Sequence, residues 1–217
     1  TPEWVPPQLD SYDEVPPFGE RSFRFTKTGK SQPSRGTANV IVLFADFRGS
    51  ESPLPTWVDD IFDPDVSGSF ADFYDTMSLG QLRIDGEVAR RRYTSKWGAN
   101  TYTADTATET GGFGRFVQEI LDKADRDIDF SQFDNNGTDG VPNSGDDDGE
   151  VDYLIVMIRE RPRNFIVGQA DGYGSLGFDD NYFTSDTGAN GKPIEISGVL
   201  FRGAVAREFN FAQTMGV

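Results

Sequence analysis

Two stretches of the chain are apolar almost without a break, and they predict the centre of a sheet. Asn39-Val40-Ile41-Val42-Leu43-Phe44-Ala45-Asp46 is rich in β-branched residues and lies between Gly36 and Gly49, and Val151 to Ile158 repeats the pattern. Continuous apolar runs of this length belong to strands buried on both faces. Gln81 to Val88 alternates instead, which predicts a strand with one wet face and an aromatic continuation that includes Tyr93 and Trp97. Phe113, Phe116, Val117, Ile120, Leu121 and Ala124 recur at helical spacing, an amphipathic helix introduced by Gly111 and Gly112. Phe70, Phe73, Tyr74 and Met77 space a second helix, with Ser69 as its cap and Gly80 as its stop.

The remaining segments carry weaker patterns. Pro2, Pro6, Pro7, Pro16, Pro17 and Pro33 forbid a long helix in residues 1–36, which read as an extended arm. Within it Ser22 to Thr26 alternates as an edge strand would, and Trp4 and Phe18 are its anchors. Arg159 to Asn190 reads as loop, broken by Gly168, Gly172, Gly174, Gly177 and Gly188, with Gly172-Tyr173-Gly174 a turn. Pro193 to Ser197 is extended, and Gly203 to Met215 reads as a terminal helix. The fold expected is α/β in the α+β sense, a mixed sheet with packed helices over residues 37–217, preceded by the arm.

Composition narrows the function. A formal charge of −16 repels nucleic acid and anionic membrane surfaces and favours cations. There is no cysteine and no histidine, which removes disulfides, thiolate metal sites and both Ser-His and Cys-His nucleophiles. No apolar run approaches the roughly 20 residues that span a bilayer. The chain starts at Thr1, as a processed or trimmed product would, and its Asn/Asp/Gly-rich loops fit an exported, extracytoplasmic protein, periplasmic or secreted. Arg90, Arg91 and Arg92 read as a solvated basic edge, with an anion site as the alternative.

One loop concentrates oxygen donors. Asp146, Asp148, Glu150 and Asp152 alternate, and Asp134, Asn136 and Asp139 offer a second set. Calcium takes six to eight oxygens from such residues, although the spacing departs from the twelve-residue calcium loop. The packing of so many carboxylates between a helix and a buried strand needs a neutralising cation. The alternative is a solvated acidic turn whose side chains satisfy only their own backbone.

From Asn39 onward the chain resembles the M6 family of secreted zinc metallopeptidases, the immune inhibitor A group. The likeness rests on Ala45-Asp46-Phe47, on Phe73-Tyr74-Asp75-Thr76-Met77-Ser78-Leu79-Gly80-Gln81-Leu82, on Asp129-Phe130-Ser131-Gln132-Phe133-Asp134 and on Gly149-Glu150-Val151-Asp152. The resemblance implies a metzincin-like or thermolysin-like peptidase subdomain with an HExxH motif on the helix after the last strand. Two imidazoles one turn apart would grip zinc there while the Glu activates water.

Arg207-Glu208-Phe209-Asn210-Phe211 aligns with that pentad and keeps only Glu208. A guanidinium is always cationic and repels a dication, and a phenyl ring has no lone pair to give. No zinc is therefore expected at Arg207 and Phe211, and the helix is read as structural, with Phe209, Phe211 and Met215 in the core, Arg207 paired to a carboxylate and Glu208 a relic of the general base. The function expected is a non-catalytic peptidase-like domain. It would be a docking subunit of an extracytoplasmic assembly, with protein partners that include subunits of a membrane complex approached from outside, and it would hold calcium. The alternatives are a divergent metal-dependent hydrolase and a fragment of a longer secreted protein continuing past Val217.

Overall fold

The computed structural model describes residues 35–106, 109, 111–166, 169–198 and 202–216. The expectations for the Pro-rich arm, including the Ser22 to Thr26 strand and the Trp4 and Phe18 anchors, fall outside them. The described chain is a mixed α/β domain. Its main sheet has five strands in the order β2-β1-β3-β7-β4, namely β1 (Gly36–Asp46), β2 (Leu82–Thr94), β3 (Tyr153–Ile158), β4 (Gly172–Tyr173) and β7 (Gly203–Arg207). The first four in spatial order are parallel, and β4 closes the edge antiparallel to β7. A two-stranded antiparallel sheet, β5 (Tyr182–Thr187) with β6 (Pro193–Ile196), stands beside it.

Alternation along β1 divides the core. Ile41, Leu43 and Ala45, with Leu154, Val156, Ile158 and Val205, join the buried face of α2 (Phe113–Ala124), which contributes Phe116, Val117, Ile120 and Leu121. Val40, Val42 and Phe44, with Ile155 and Met157, face the other way onto Val58 and Ile61 and onto Phe70 of α1 (Phe70–Ser78). Both faces of the central strands are covered, which is why β1 and β3 are apolar throughout.

The start of α1 is set by local chemistry. Ser69 Oγ accepts from the Asp72 N–H at 3.0 Å while Asp72 Oδ2 accepts from the Gly68 N–H at 2.8 Å, a reciprocal cap. The helix ends one residue earlier than Gly80 alone implies, because Leu79 takes the left-handed conformation (φ 58°) and Gly80 follows at φ 73°. The apolar spacing of α1 is only partly used: Phe73 and Met77 are 46% and 68% exposed, and Leu79 85%.

Two expectations are corrected. Residues 159–190 are not all loop, since β4 and β5 lie within them. Residues 203–215 are not one helix: 203–207 form β7, and only α3 (Glu208–Met215) is helical. Ala-Val-Ala carries no decisive helix or strand signal, and here the ladders offered by β3 and β4 decide it. Gly203 is required by closeness, because a Cβ there would sit 2.7 Å from the Leu154 carbonyl oxygen.

Candidate functional site

The end of β7 delivers residues 207–211 to the carboxyl edge of the sheet. Arg207 is the residue before α3, in extended conformation (φ −80°, ψ 137°), and Glu208 is its first helical residue. Arg207 Nη1 donates to Asp171 Oδ1 at 3.1 Å, and its guanidinium lies 5.7 Å from the Phe209 ring centroid. Arg207 and Arg161 together hold the Asp171 carboxyl below the usual carboxylate range, Arg161 being the larger cause. Phe211 turns onto Phe70, ring centroids 5.8 Å apart, and joins the core on the α1 side. Phe209 is 53% exposed, so its expected place in the core is corrected.

Glu208 is buried, and its Oε1 accepts from Arg92 Nη1. The same guanidinium approaches Asp46 Oδ1 at 3.5 Å, donates from Nε to the Ser52 carbonyl at 3.2 Å and from Nη2 to the Pro53 carbonyl at 2.9 Å, and lies over the Phe44 ring. Asp46 Oδ2 accepts from both the Ser52 N–H and its hydroxyl, each at 2.8 Å. Burial pushes both carboxyls up, Asp46 against the pull of Ser52 and Arg92, and Glu208 against that of Arg92.

The reading of Arg90 to Arg92 as one solvated edge holds for Arg90 and Arg91, which pair with Asp59 and Asp127 at the surface. It fails for Arg92, whose side chain is 6% exposed and ties three segments together. Arg92 lies past the register shift between Val42 and Phe44, where it pairs with Phe44 of β1, while Arg90 falls within the shift and stays exposed, a difference that three identical letters conceal.

The acidic loop divides its seven expected ligands among different tasks. Asp146 is exposed and accepts from the Thr138 N–H at 2.6 Å and from the Thr138 and Ser144 hydroxyls at 2.8 and 2.5 Å. Those donors, Ser144 first, hold its carboxyl well below the usual range. Asp139 accepts from the Val141 N–H at 2.8 Å, and Asn136 is half-buried. These three build the outer turn.

The inner group is different. Asp134 is 1% exposed, with Oδ2 accepting from the Gly149 N–H at 2.9 Å and Oδ1 lacking a hydrogen-bond partner among the described residues. Asn135, not singled out by the spacing, is also buried, and its side-chain oxygen has no hydrogen-bond partner among the described residues. Asp152 is fully buried, and its Oδ2 accepts from the Asn39 N–H at 3.1 Å. Burial raises both aspartates to about 7, helped at Asp134 by the nearby carboxylates of Asp148, Asp147 and Asp152.

A cation is already present. Arg202, 2% exposed, pairs with Asp148 at 3.2 Å and Glu150 at 3.5 Å, and it draws the Asp152 carboxyl down. Its Nε and Nη1 have no hydrogen-bond partner among the described residues. Sequence reasoning missed it because it lies 54 positions from Asp148. Among the described residues no three His, Cys, Asp or Glu side chains converge as a ready metal-ligand set.

No protein-family model matches the chain, and a search of curated proteins finds no match. The fold defines a mixed α/β domain with a buried ionic cluster at the carboxyl edge of its sheet.

Proposed function

We propose that this is a non-catalytic domain of the M6 peptidase-like kind, a docking subunit of an extracytoplasmic assembly. The observation that carries this reading is the engagement of Glu208 by Arg92. A general base must reach a water or a substrate proton, and this carboxylate is buried in an ion pair. The two flanking positions are occupied elsewhere, Arg207 with Asp171 and Phe211 with Phe70. The placement of α3 directly after the last strand supports the metzincin-like or thermolysin-like comparison. The test is metal content together with peptide cleavage. Stoichiometric zinc, with cleavage abolished by Glu208→Gln, would favour the divergent hydrolase instead.

A protein partner is supported by the outer face of α1. Phe73 and Met77, one turn apart, and the adjacent Leu79 place large apolar side chains at the surface. A stoichiometric companion in the native material, lost from a Phe73→Ser, Met77→Ser variant, would support docking there. No helix among the described residues is long and apolar enough to cross a membrane, so partners in a membrane complex would be met from outside the bilayer.

Calcium belongs to the same proposal. The buried oxygens of Asp134 and Asn135 that lack a hydrogen-bond partner among the described residues fit a hard cation, and the negative charge of Asp148, Asp147 and Asp152 acts on Asp134. Arg202 already offsets part of the loop's charge, so the ion's task is at Asp134 and Asn135 rather than along the whole acidic stretch. Bound there, calcium would supply structural rigidity at the start of β3.

A further inference from the structure

The connections of the sheet define a crevice distinct from the acidic loop. After β1 the chain turns to the α1 side, where Leu54, Trp57, Val58 and Ile61 pack. After β3 it turns to the α2 side, where Phe165, Ile166 and Leu176 pack. Neighbouring parallel strands whose exits diverge in this way open a gap at their carboxyl ends, and such gaps are where open α/β sheets bind ligands.

A cavity of about 400 Å³ lies at this point, lined by Asp46 at the end of β1, by Phe47, Ser50 and Glu51 after it, by Ala99 from the segment after β2, and by residues 159–162 after β3. Its volume falls in the range of small-molecule sites, roughly 300 to 1,000 Å³.

Charge of both signs meets there. Asp46 is 3% exposed, and among the described residues its Oδ1 has only the 3.5 Å approach to Arg92, whose other donors are committed to Ser52, Pro53 and Glu208. Glu51 stands exposed at the rim. Opposite, Arg159 is half-exposed, and its ion pair with Glu160 is long (3.6 Å) and wet. Arg159 lies near enough to Asp46 to draw its carboxyl down, yet forms no ion pair with it among the described residues. Arg161 is held by Asp171 and Gln169. Phe47, Ala99 and Pro162 give the cavity an apolar wall. Phe47 is fixed by Phe116 and Phe165, with ring centroids at 4.6 and 5.3 Å.

We propose that this crevice binds a small zwitterion of the amino-acid class, with its ammonium toward Asp46 and Glu51, its carboxylate on Arg159 and an apolar side chain against Phe47. The buried trio of Asp46, Arg92 and Glu208 has two carboxylates for one guanidinium, and an added ammonium compensates it. The ligand thus bridges two groups that the fold holds apart. The site stands independently of the docking reading, since a domain with or without a protein partner presents the same crevice.

The test is isothermal titration of the full chain with L-leucine, N-acetyl-L-leucine and L-leucinamide, each blocked compound lacking one charge. L-leucine is expected to bind saturably, and each blocked compound at least about tenfold more weakly. Arg159→Gln is expected to weaken L-leucine binding by a similar factor while leaving the melting temperature unchanged, because an exposed pair contributes little to stability. Absence of saturable binding, equal binding of the three compounds, or wild-type affinity in Arg159→Gln would each overturn the proposal.

Discussion

Arg92 and Glu208 are 116 positions apart in sequence and form one buried ion pair across the carboxyl edge of the sheet. It joins the far end of β2 to the first residue of α3, and through Asp46 it also reaches the end of β1. Removing one partner of a buried pair leaves an uncompensated charge, at a cost of about 3–5 kcal/mol. Arg92→Met is therefore expected to lower the unfolding free energy by about 3 kcal/mol or more in urea titration. Arg90→Gln, one turn of the alternation away and exposed, leaves the midpoint where it is.

The same pair gives a pH dependence with a defined sign. Burial raises the Asp46 and Glu208 carboxyls above their ordinary values, against Arg92 from β2 and Arg159 after β3. The folded state then keeps protons that the unfolded chain has released, so this contribution is complete below about pH 4 and is lost as pH rises through the raised values. Other carboxyls, such as Asp171, are lowered and act in the opposite direction. The difference between wild type and Glu208→Gln isolates the effect: urea midpoints measured from pH 4 to pH 8 should fall less steeply in the variant.

Calcium is expected to stabilise the domain at neutral pH. At a concentration about 100 times its dissociation constant, an ion bound only to the folded state contributes about 2.7 kcal/mol. A melting curve with calcium should lie above one with chelator, and Asp134→Asn should abolish the difference. Asp146→Asn, in the outer turn, should leave it intact.

Two imidazoles placed at positions 207 and 211 are not expected to seat a metal. Arg207 shares the side of β7 set by Val205, which packs with α2, whereas Phe211 packs with Phe70 across the sheet. An Arg207→His, Phe211→His variant should therefore not acquire one equivalent of zinc on dialysis against it, as metal analysis would show.

The parts of the fold legible in the sequence are those with a long, single-minded pattern. The runs through Val42 and Val156 announced β1 and β3, and the spacing from Phe113 to Ala124 announced α2. β7 was not legible, because Ala204, Val205 and Ala206 suit either state and only the neighbouring ladders select one. β4 is two residues long and owes its existence to β7. At the candidate site, the inability of Arg207 and Phe211 to ligate zinc is plain from side-chain chemistry. Arg92 and Arg202 are not, since a buried counter-ion is defined by residues distant in sequence, and spacing does not reveal that Asn135 rather than Asn136 is the buried amide.

Metal analysis of the native protein, with peptide hydrolysis followed in the same preparation, bears most directly on Glu208. An account in which this carboxylate is held by Arg92 predicts no stoichiometric zinc and no cleavage, with Glu208→Gln indistinguishable from wild type in both. One equivalent of zinc per chain, together with cleavage that the Glu208→Gln change abolishes, would contradict it.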